Sequence, residues 1–166
     1  NPHVLGAAPY VEREAMLQGE RVSGAIVRGV LPEYEPHVSE IDRKMVVGKL
    51  DDLSAGSFNI ILGRELAMKL GVSVGDHANL ITSQVSTSPM GVQPRFKRFT
   101  VSGIFEVGMQ EYDGALAVVH MKDAQTLYRL DGPSGIRLRL DDMFRARSVA
   151  RELSGQLGQA YRVSHW

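Results

Sequence analysis

The residues of this chain whose types could do chemistry fall into four groups, and the most concentrated is a basic and aromatic run at 95–99. Arg95, Lys97 and Arg98 alternate there with Phe96 and Phe99. Such interleaving is typical of surfaces that stack nucleobases and neutralise phosphates. It is also typical of an exposed sheet edge, where charges discourage unwanted strand pairing. Because basic and acidic side chains number 19 each, the chain has no net field for nucleic acid, and we favour the second interpretation.

The other three groups carry weaker signals. The pairs Asp51-Asp52 and Asp141-Asp142 could do acid–base or metal chemistry, but adjacent carboxylates at turns more often cap helices. Five histidines are scattered without the spacing of a metal site, and the serines and threonines at 83–88 lie in no nucleophile elbow. A hydrolase using Asp141, Asp142 and His120 needs those groups to converge in one cleft. We therefore predict no catalytic residue, no metal site and no cofactor.

A segment with two prolines precedes and overlaps the basic run. Pro89 and Pro94 fix their own φ and lack a backbone donor, so we predict a loop that begins at about Ser86 and is braced by both prolines, outside any central strand. The apolar Met90 and Val92 lie between the prolines. A stiff loop with an apolar tip loses little entropy on docking, which favours its being gripped by a partner protein.

Alternation beyond this loop predicts a strand from Phe99 to Val107. Phe99, Val101 and Phe105 are expected on one face, whereas Phe96 falls on the other face with Arg98. Such a change of face indicates a bend or bulge where the strand leaves the sheet. It would place the basic side chains at the root of the loop.

Strand-like and helix-like segments alternate along the rest of the chain, which predicts an α+β fold. The predicted helix at 63–70 buries Leu66, Ala67 and Leu70 and ends at Gly71. Strands are predicted at 11–18, 21–30, 45–50, 58–62, 77–83, 99–107, 115–121, 136–140 and 160–163, and helices at 63–70, 123–130 and 141–157.

Composition is that of an ordinary soluble domain. The chain has 166 residues, 43% of them apolar and 23% charged, with no cysteine. No apolar run approaches the ~18 residues of a membrane span. The chain opens at Asn1-Pro2 without a methionine or a signal peptide, and we interpret it as a piece of a longer protein.

Several blocks of sequence, in order along nearly the whole chain, fit one known family. They are 8–12, 27–30 with Pro32, 60–67, 70–72, Gly75-Asp76, 88–91 with Pro94, 99–105, 111–113, 134–136 and 164–166. Together they resemble the periplasmic domain of the LolC/LolE-type lipoprotein-releasing ABC permeases, within the MacB-like permease superfamily. The block at 60–67 is shared across the superfamily, whereas Ser88-Pro89-Met90-Gly91 is more specific.

The resemblance implies a mixed α/β porter-like lobe, residues 1–50 and 115–166, interrupted by a β-rich sabre-like lobe, residues 51–114, with a protruding hairpin loop. It implies a hook on that loop that grips a soluble lipoprotein carrier, and a pad beside it that adds contacts. The hook residues would be Ser88, Pro89, Met90, Gly91, Val92, Gln93 and Pro94, and the pad residues Arg95, Phe96, Lys97 and Arg98.

The resemblance also implies partners and a location. The partners would be a periplasmic LolA-like carrier chaperone, a cytoplasmic ATPase subunit, a second permease subunit and the lipoprotein cargo. The domain would lie on the periplasmic side of a Gram-negative inner membrane and would not be an enzyme. The alternative keeps the fold and changes the partner: a MacB-like efflux or FtsX-like permease domain would dock an adaptor or a regulator protein.

Overall fold

Strands dominate the computed structural model, which describes residues 2–88, 91–130, 132–158 and 162–163. The predicted α+β class is confirmed. The helices are α1 (Arg64–Leu70), α2 (Gln110–Asp113), α3 (Met121–Tyr128) and α4 (Ala146–Leu157), with 3-10 turns at Glu35–His37, Ile41–Lys44, Leu50–Asp52 and Met143–Arg145. The strands are β1 (Val4–Gln18), β2 (Val22–Val30), β3 (Met45–Val47), β4 (Asn59–Gly63), β5 (His77–Ser88), β6 (Gly91–Phe105), β7 (Leu116–His120) and β8 (Gly135–Leu140).

All eight strands belong to one sheet that closes on itself. Its order is β2-β7-β4-β6-β5-β1-β8, β3 pairs with β6, and β1 also pairs with β2. Six strands therefore form a ring of hydrogen-bonded neighbours. Strands β1 and β5 share only the stretch from Ala15 to Gln18 and separate at the pair Ala15 and Thr82.

Two apolar clusters lie on opposite faces of this sheet. The larger packs under α1 and α3 and includes Leu17, Leu66 and Phe99. The smaller packs under the segment between β2 and β4 and includes Ile41, Leu50 and Phe105. Strand β7 is buried along its whole length because both clusters cover it.

The predicted end of α1 is confirmed at Gly71. This residue has φ +71° and donates its N–H to the carbonyls of Ala67 and Met68, in a left-handed conformation that glycine adopts without strain. Arg21 donates to the carbonyls of Met68 and Lys69. The β1–β2 turn is thereby fixed to the end of α1.

Two segments leave the closed part of the sheet at the same end, because β5 runs antiparallel to β1 where they separate. We call residues 83–88 and 91–98 the ribbon. We call residues 4–10 of β1, together with β8, the arm, since Val4 to Tyr10 pair with β8.

One face of the arm is held by a buried ion pair. Arg137 Nη1 lies 2.6 Å from Oε1 of Glu35, whose side chain is fully buried. Arg28 lies nearby, 3.6 Å from Glu12; burial lowers the pKa of Arg28, and the charge of Arg137 lowers it further. On the same face Gly6 approaches the carbonyl of His37 so closely that a Cβ would lie 2.4 Å from its oxygen.

The predicted loop that begins at about Ser86 and is braced by both prolines is wrong in extent, because β5 runs to Ser88 and β6 begins at Gly91. Pro94 therefore lies inside a strand. Neither outer edge of the ribbon is paired there: β1 follows β5 only to Thr82, and β4 follows β6 only from Thr100. Since no neighbouring strand needs its N–H, proline costs no ladder hydrogen bond.

Three smaller expectations also change. Phe105 packs in the second cluster, opposite Phe99, because the ladder between β4 and β6 slips between Ile60 and Ile61 and so exchanges the two faces of β6. Phe58 precedes β4 rather than beginning it. Of the strand predicted at 160–163, residues 162 and 163 are in no strand, and the other two lie outside the described residues.

Candidate docking site on the ribbon

The ribbon extends the β5–β6 pair beyond the residues of β5 that pair with β1 and those of β6 that pair with β4. Ser86 pairs with Gln93, Thr87 with Val92 and Ser88 with Gly91. The register slips between Thr82 and Ser86, so residues 83–85 lie opposite Pro94 as a bulge. Six residues of extended chain past Thr82 correspond to about 20 Å of projection. The extra residues are in β5. Residues 95–100 of β6 pair without a slip, so the change of face between Phe96 and Phe99 is ordinary strand alternation, and the bulge predicted there is wrong.

The predicted hook residues lie at the end of the ribbon. Ser88, Gly91, Val92, Gln93 and Pro94 are strand residues in the described backbone. The two remaining hook residues, Pro89 and Met90, lie outside the described residues. The described part of the hook therefore consists of the strand residues at the end of β5 and the start of β6.

Arg95, at the root of the ribbon, is tied to helix α3. Its Nη1 donates to the carbonyl of Leu127 at 3.0 Å, a group near the end of the helix that has no helical partner. Leu127 and Tyr128 are buried in the core, and burial raises the pKa of Tyr128 to about 12. Arg95 therefore positions the ribbon, in addition to its predicted role in the pad.

Lys97 lies over the ring of Phe58, its Nζ 4.3 Å from the ring centroid. The Phe58 ring meets Phe99 edge to face, with 5.5 Å between centroids. A cation over an aromatic face at an exposed site contributes about 0.5–1 kcal/mol. Lys97 of the pad is thus positioned by Phe58, which packs against the buried ring of Phe99.

Phe58 is the residue of this candidate site that sequence reasoning missed. It adopts φ +52°, a conformation rare for a large side chain. The carboxylate of Asp123, in the first turn of α3, compensates by accepting the N–H groups of Phe58 at 3.0 Å and Gly56 at 2.7 Å. The break at Ser54–Ser57, just before Phe58, indicates an irregular backbone there. Nothing in that break indicates that Phe58 contacts residue 97.

Phe96 and Arg98 face the opposite side of the ribbon. Phe96 is 72% exposed, and Arg98 is exposed and forms no ion pair within the described part of the chain. Phe96 is the register partner of Ile81, which is the partner of Met16, so the three form an apolar row across β6, β5 and β1. The pad therefore presents the exposed apolar side chain of Phe96 beside the positive charge of Arg98.

A groove of about 610 Å³ continues this row where β1 and β5 separate. Met16, Ile26 and Ile81 line it, with small residues such as Gly24 between them. Thr82 also lines it, and its buried hydroxyl has no hydrogen-bond partner in the described structure. The groove suits apolar side chains of a docked protein better than a polar substrate, since its walls are chiefly aliphatic.

The remaining sequence candidates are not brought together. His120 accepts the N–H of Lys122 through Nδ1 and caps α3. Asp141 is at the tip of the arm, where it contacts His3. About 20 Å of extended β1 separate His3 from Tyr10, the arm residue nearest His120 in the sheet. The described residues contain no cluster of three potential metal ligands and no helix long and apolar enough to span a membrane.

Comparison with known proteins agrees with this architecture. A profile of the MacB-like periplasmic core domain matches residues 1–156. The chain is 52% identical over 166 residues to a "Lipoprotein-releasing system transmembrane protein LolC" of Xylella fastidiosa, covering 100% of this chain and 40% of that protein. It is 42% identical over 165 residues to LolC of Neisseria meningitidis, covering 98% and 39%. The chain thus spans about two fifths of the curated relatives it matches, and the resemblance to LolC-type domains is confirmed.

Solved structures share the fold at low sequence identity. The extracellular domain of the noncanonic ABC-type transporter YknZ from Gram-positive bacteria aligns with a TM-score of 0.59 and 17% identity, over 98% of this chain and 82% of that one. The periplasmic region of MacB from Actinobacillus actinomycetemcomitans aligns with a TM-score of 0.57 and 14% identity, over 96% and 70%. At these identities the likeness concerns the fold alone.

Proposed function

This chain belongs to the family of MacB-like periplasmic core domains, and on that premise we propose that it receives a soluble lipoprotein carrier for an inner-membrane permease. The domain would be non-catalytic and would bind a LolA-like periplasmic chaperone through the hook at residues 88–94 and the pad at residues 95–98. Lipoprotein cargo would pass to the carrier while it is held there. The relatives at 52% and 42% identity are named for lipoprotein release, which favours this partner over an efflux adaptor or a regulator protein.

The observation that carries the proposal is the isolated projection of the ribbon. Among the described residues, β5 beyond Thr82 and β6 before Thr100 pair only with each other, so the strand residues that flank the tip project from the sheet. Strand residues that are already paired with each other lose little conformational entropy when a partner closes around them. This geometry suits insertion into a cleft of another protein.

The pad supplies two different kinds of contact beside the hook. Phe96 and the row behind it offer apolar area, which provides most of the affinity in protein interfaces through a few large side chains. Arg98 and Lys97 offer positive charge, which mainly raises the association rate and fixes orientation. A carrier with an apolar opening and an acidic rim would match both.

The other partners belong to the rest of the permease. Since the chain spans about 40% of its relatives, the membrane-spanning part would lie in the remainder. A cytoplasmic ATPase subunit and a second permease subunit would associate with that part. ATP hydrolysis would then act on the hook through rigid movement of this domain.

The proposal is tested by measuring carrier binding calorimetrically with ribbon variants. Deleting residues 88–94 should abolish binding, and Met90→Asp should weaken it by at least tenfold, because a buried apolar contact is replaced by a charge. Phe96→Ser should also weaken it about tenfold, since this side chain is already 72% exposed and its loss does not disturb folding.

Met68→Asp is the matched control, because Met68 lies on α1 and is 65% exposed, away from the ribbon. It should bind the carrier like the parent chain. Unchanged binding after the 88–94 deletion, with an intact thermal transition, would refute the carrier-receiving role. Binding of a membrane-fusion adaptor in place of the carrier, lost on the same deletion, would establish the efflux alternative.

A further inference from the structure

The root of the ribbon has two side-chain contacts that lead to helix α3. Arg95, Lys97 and Phe99 alternate onto one face of β6, and Phe99 is buried in the larger cluster, beneath α1 and α3. The guanidinium of Arg95 donates to the carbonyl of Leu127, near the end of α3. Lys97 lies over the ring of Phe58, and Phe58 is in turn held by α3. Two residues of the pad therefore depend on one helix.

The second of these contacts depends on Asp123, in the first turn of α3. Its carboxylate accepts the N–H groups of Gly56 at 2.7 Å and Phe58 at 3.0 Å, and the residue is only 2% exposed. These two hydrogen bonds hold the backbone of Phe58 at φ +52°, a conformation that few large side chains adopt. The ring on which Lys97 rests is therefore placed by Asp123.

Strand pairing leaves one edge of the root open. Toward β5, residues 95–98 pair with residues 79–82. Toward β4, pairing begins only at Thr100, whose N–H donates to the carbonyl of Phe58 at 3.0 Å. Among the described residues, the contacts through Phe58 and α3 are thus made at the point where pairing with β4 stops.

Helix α3 is itself fixed on the sheet. The ring of His120 caps its N-terminus by accepting the N–H of Lys122 at 3.1 Å. Gly29 of β2 lets the helix approach so closely that a Cβ there would lie 2.8 Å from the Cβ of Ala124. A helix in such close contact with a packed core shifts only if the core is disturbed.

The spacing of the two contacts also matches. Asp123 and Leu127 are four residues apart, which is about 6 Å along a helix axis. Lys97 and Arg95 are two residues apart, which is about 7 Å along a strand. One helix can therefore hold both positions of the root at once. Two points of attachment fix a direction, whereas one would let the ribbon turn about it.

We infer that α3 sets the direction of the ribbon and that Asp123 is a positioning residue for the pad, acting on Lys97 through the ring of Phe58. The ammonium group of Lys97 is then held in one place before a partner arrives. Charge that is placed in advance raises the rate of association more than the final affinity. This inference rests on the proposed function for the partner that the pad meets, but the direction of the ribbon can be measured without that partner.

Distances between spin labels test whether α3 sets the direction of the ribbon. The chain has no cysteine, so Ser86→Cys in the ribbon and Met68→Cys on α1, at a residue that is 65% exposed, can carry the two labels. Asp123→Asn removes one acceptor oxygen and should broaden the distribution of distances. Phe58→Leu keeps an apolar side chain but no ring, so it should broaden the distribution as well. Phe58→Tyr keeps the ring and should restore the width of the parent chain.

Asp113→Asn is the matched control for the carboxylate. Asp113 is also buried and accepts two backbone N–H groups, those of Val107 at 2.8 Å and Gly108 at 2.9 Å. It lies beyond the end of β6 that is opposite the ribbon. Its substitution should lower the thermal transition, as Asp123→Asn does, and leave the ribbon distances unchanged.

Equal broadening by Asp113→Asn and Asp123→Asn would indicate a general loosening of the fold and would overturn the positioning role. A parent-like width in Phe58→Leu would overturn it too. If Asp123→Asn does not fold, the comparison of Phe58→Leu with Phe58→Tyr still decides.

The kinetics of carrier binding separate this inference from the carrier proposal. Phe58→Leu should slow association about two- to fivefold, the factor that corresponds to loss of one exposed cation–π contact, and Phe58→Tyr should not. Association of Phe58→Leu at the parent rate would refute the positioning of the pad and leave the carrier role intact. Carrier binding by none of the chains, with the ribbon distances as expected, would refute only the carrier role.

Discussion

The ribbon and the arm leave the closed sheet at the same end and are held there by different physics. The arm is fixed by Arg137 against a carboxylate that is fully buried. The ribbon is fixed at its root by Arg95 on a backbone carbonyl and by Lys97 over an aromatic ring. Both anchors use cations, but only the arm's anchor has a buried anionic partner.

This difference separates a fixed element from an adjustable one. Breaking the arm's ion pair would leave an uncompensated charge in the core, which is costly. The contacts of the ribbon root are partly exposed and each contributes modestly, so they can be exchanged for contacts with a partner. The anchor of the arm is therefore costly to break, whereas the contacts at the ribbon root are ones that a partner could replace.

Removing the arm's anchor should have the largest effect on stability. Arg137→Met strands the carboxylate of Glu35, and we expect the free energy of unfolding to fall by about 3–5 kcal/mol. Urea denaturation followed by circular dichroism measures it. Arg139→Met, an exposed arginine two residues along the same strand, should change stability by less than about 0.5 kcal/mol.

The double variant Glu35→Leu with Arg137→Met sharpens this prediction. It removes both charges together, so most of the lost stability should return. If the double variant were as unstable as the single one, the ion pair would not be what holds the arm.

Removing the ribbon's anchor should have a smaller effect on folding. Arg95→Ala leaves the carbonyl of Leu127 without its guanidinium donor, and we expect a loss of about 1–1.5 kcal/mol. Arg98→Ala, which breaks no ion pair among the described residues, should leave unfolding unchanged. Hydrogen exchange of the β6 amides near residue 95 reports the loosening directly, and equal exchange in both variants would contradict an anchoring role.

The smallest effect concerns the tip of the arm and acid. The hydrogen bond from His3 lowers the pKa of Asp141, with the charge of Arg145 as a lesser cause. A depressed carboxyl pKa stabilises the fold above its unfolded value, and that stabilisation is lost as pH falls through the folded value, hence below about pH 4. The parent chain should lose slightly more thermal stability than Asp141→Asn between pH 5 and pH 3. Identical losses would show that this contact contributes nothing.

The sequence predicted those secondary-structure elements that depend on neighbouring residues in the chain rather than on distant partners. Gly71 ends α1 as expected because a left-handed residue needs no distant partner. Strand β8 was recognised from its alternation, whereas β1 was predicted to begin at Val11 and begins at Val4. Its first half is a strand because it pairs with β8, and Pro9 can lie in it because β2 pairs only from Tyr10 onward.

The candidate site shows the same division. The alternation of basic and aromatic types at 95–99 and the two prolines drew attention to this region, and the resemblance implied its hook and pad residues, which stay predictions. The role of Phe58 was not predictable, since it depends on Asp123 accepting two backbone N–H groups from across the fold. Nor did the sequence reveal that Pro94 lies in a strand, which requires knowing that no third strand is adjacent.

The pairing of the arm has a consequence for how fast this chain acquires its structure. Strand β1 is synthesised before the other seven strands of the sheet, yet residues 4–9 of its first half pair only with β8, and the contact between His3 and Asp141 spans 138 residues. Contacts between residues so far apart in the chain form late, because the entropy of closing the long loop is lost before the contacts can stabilise the closed state. Until β8 emerges, the first seven residues of β1 offer an unpaired edge, and the domain should depend on chaperones during that interval.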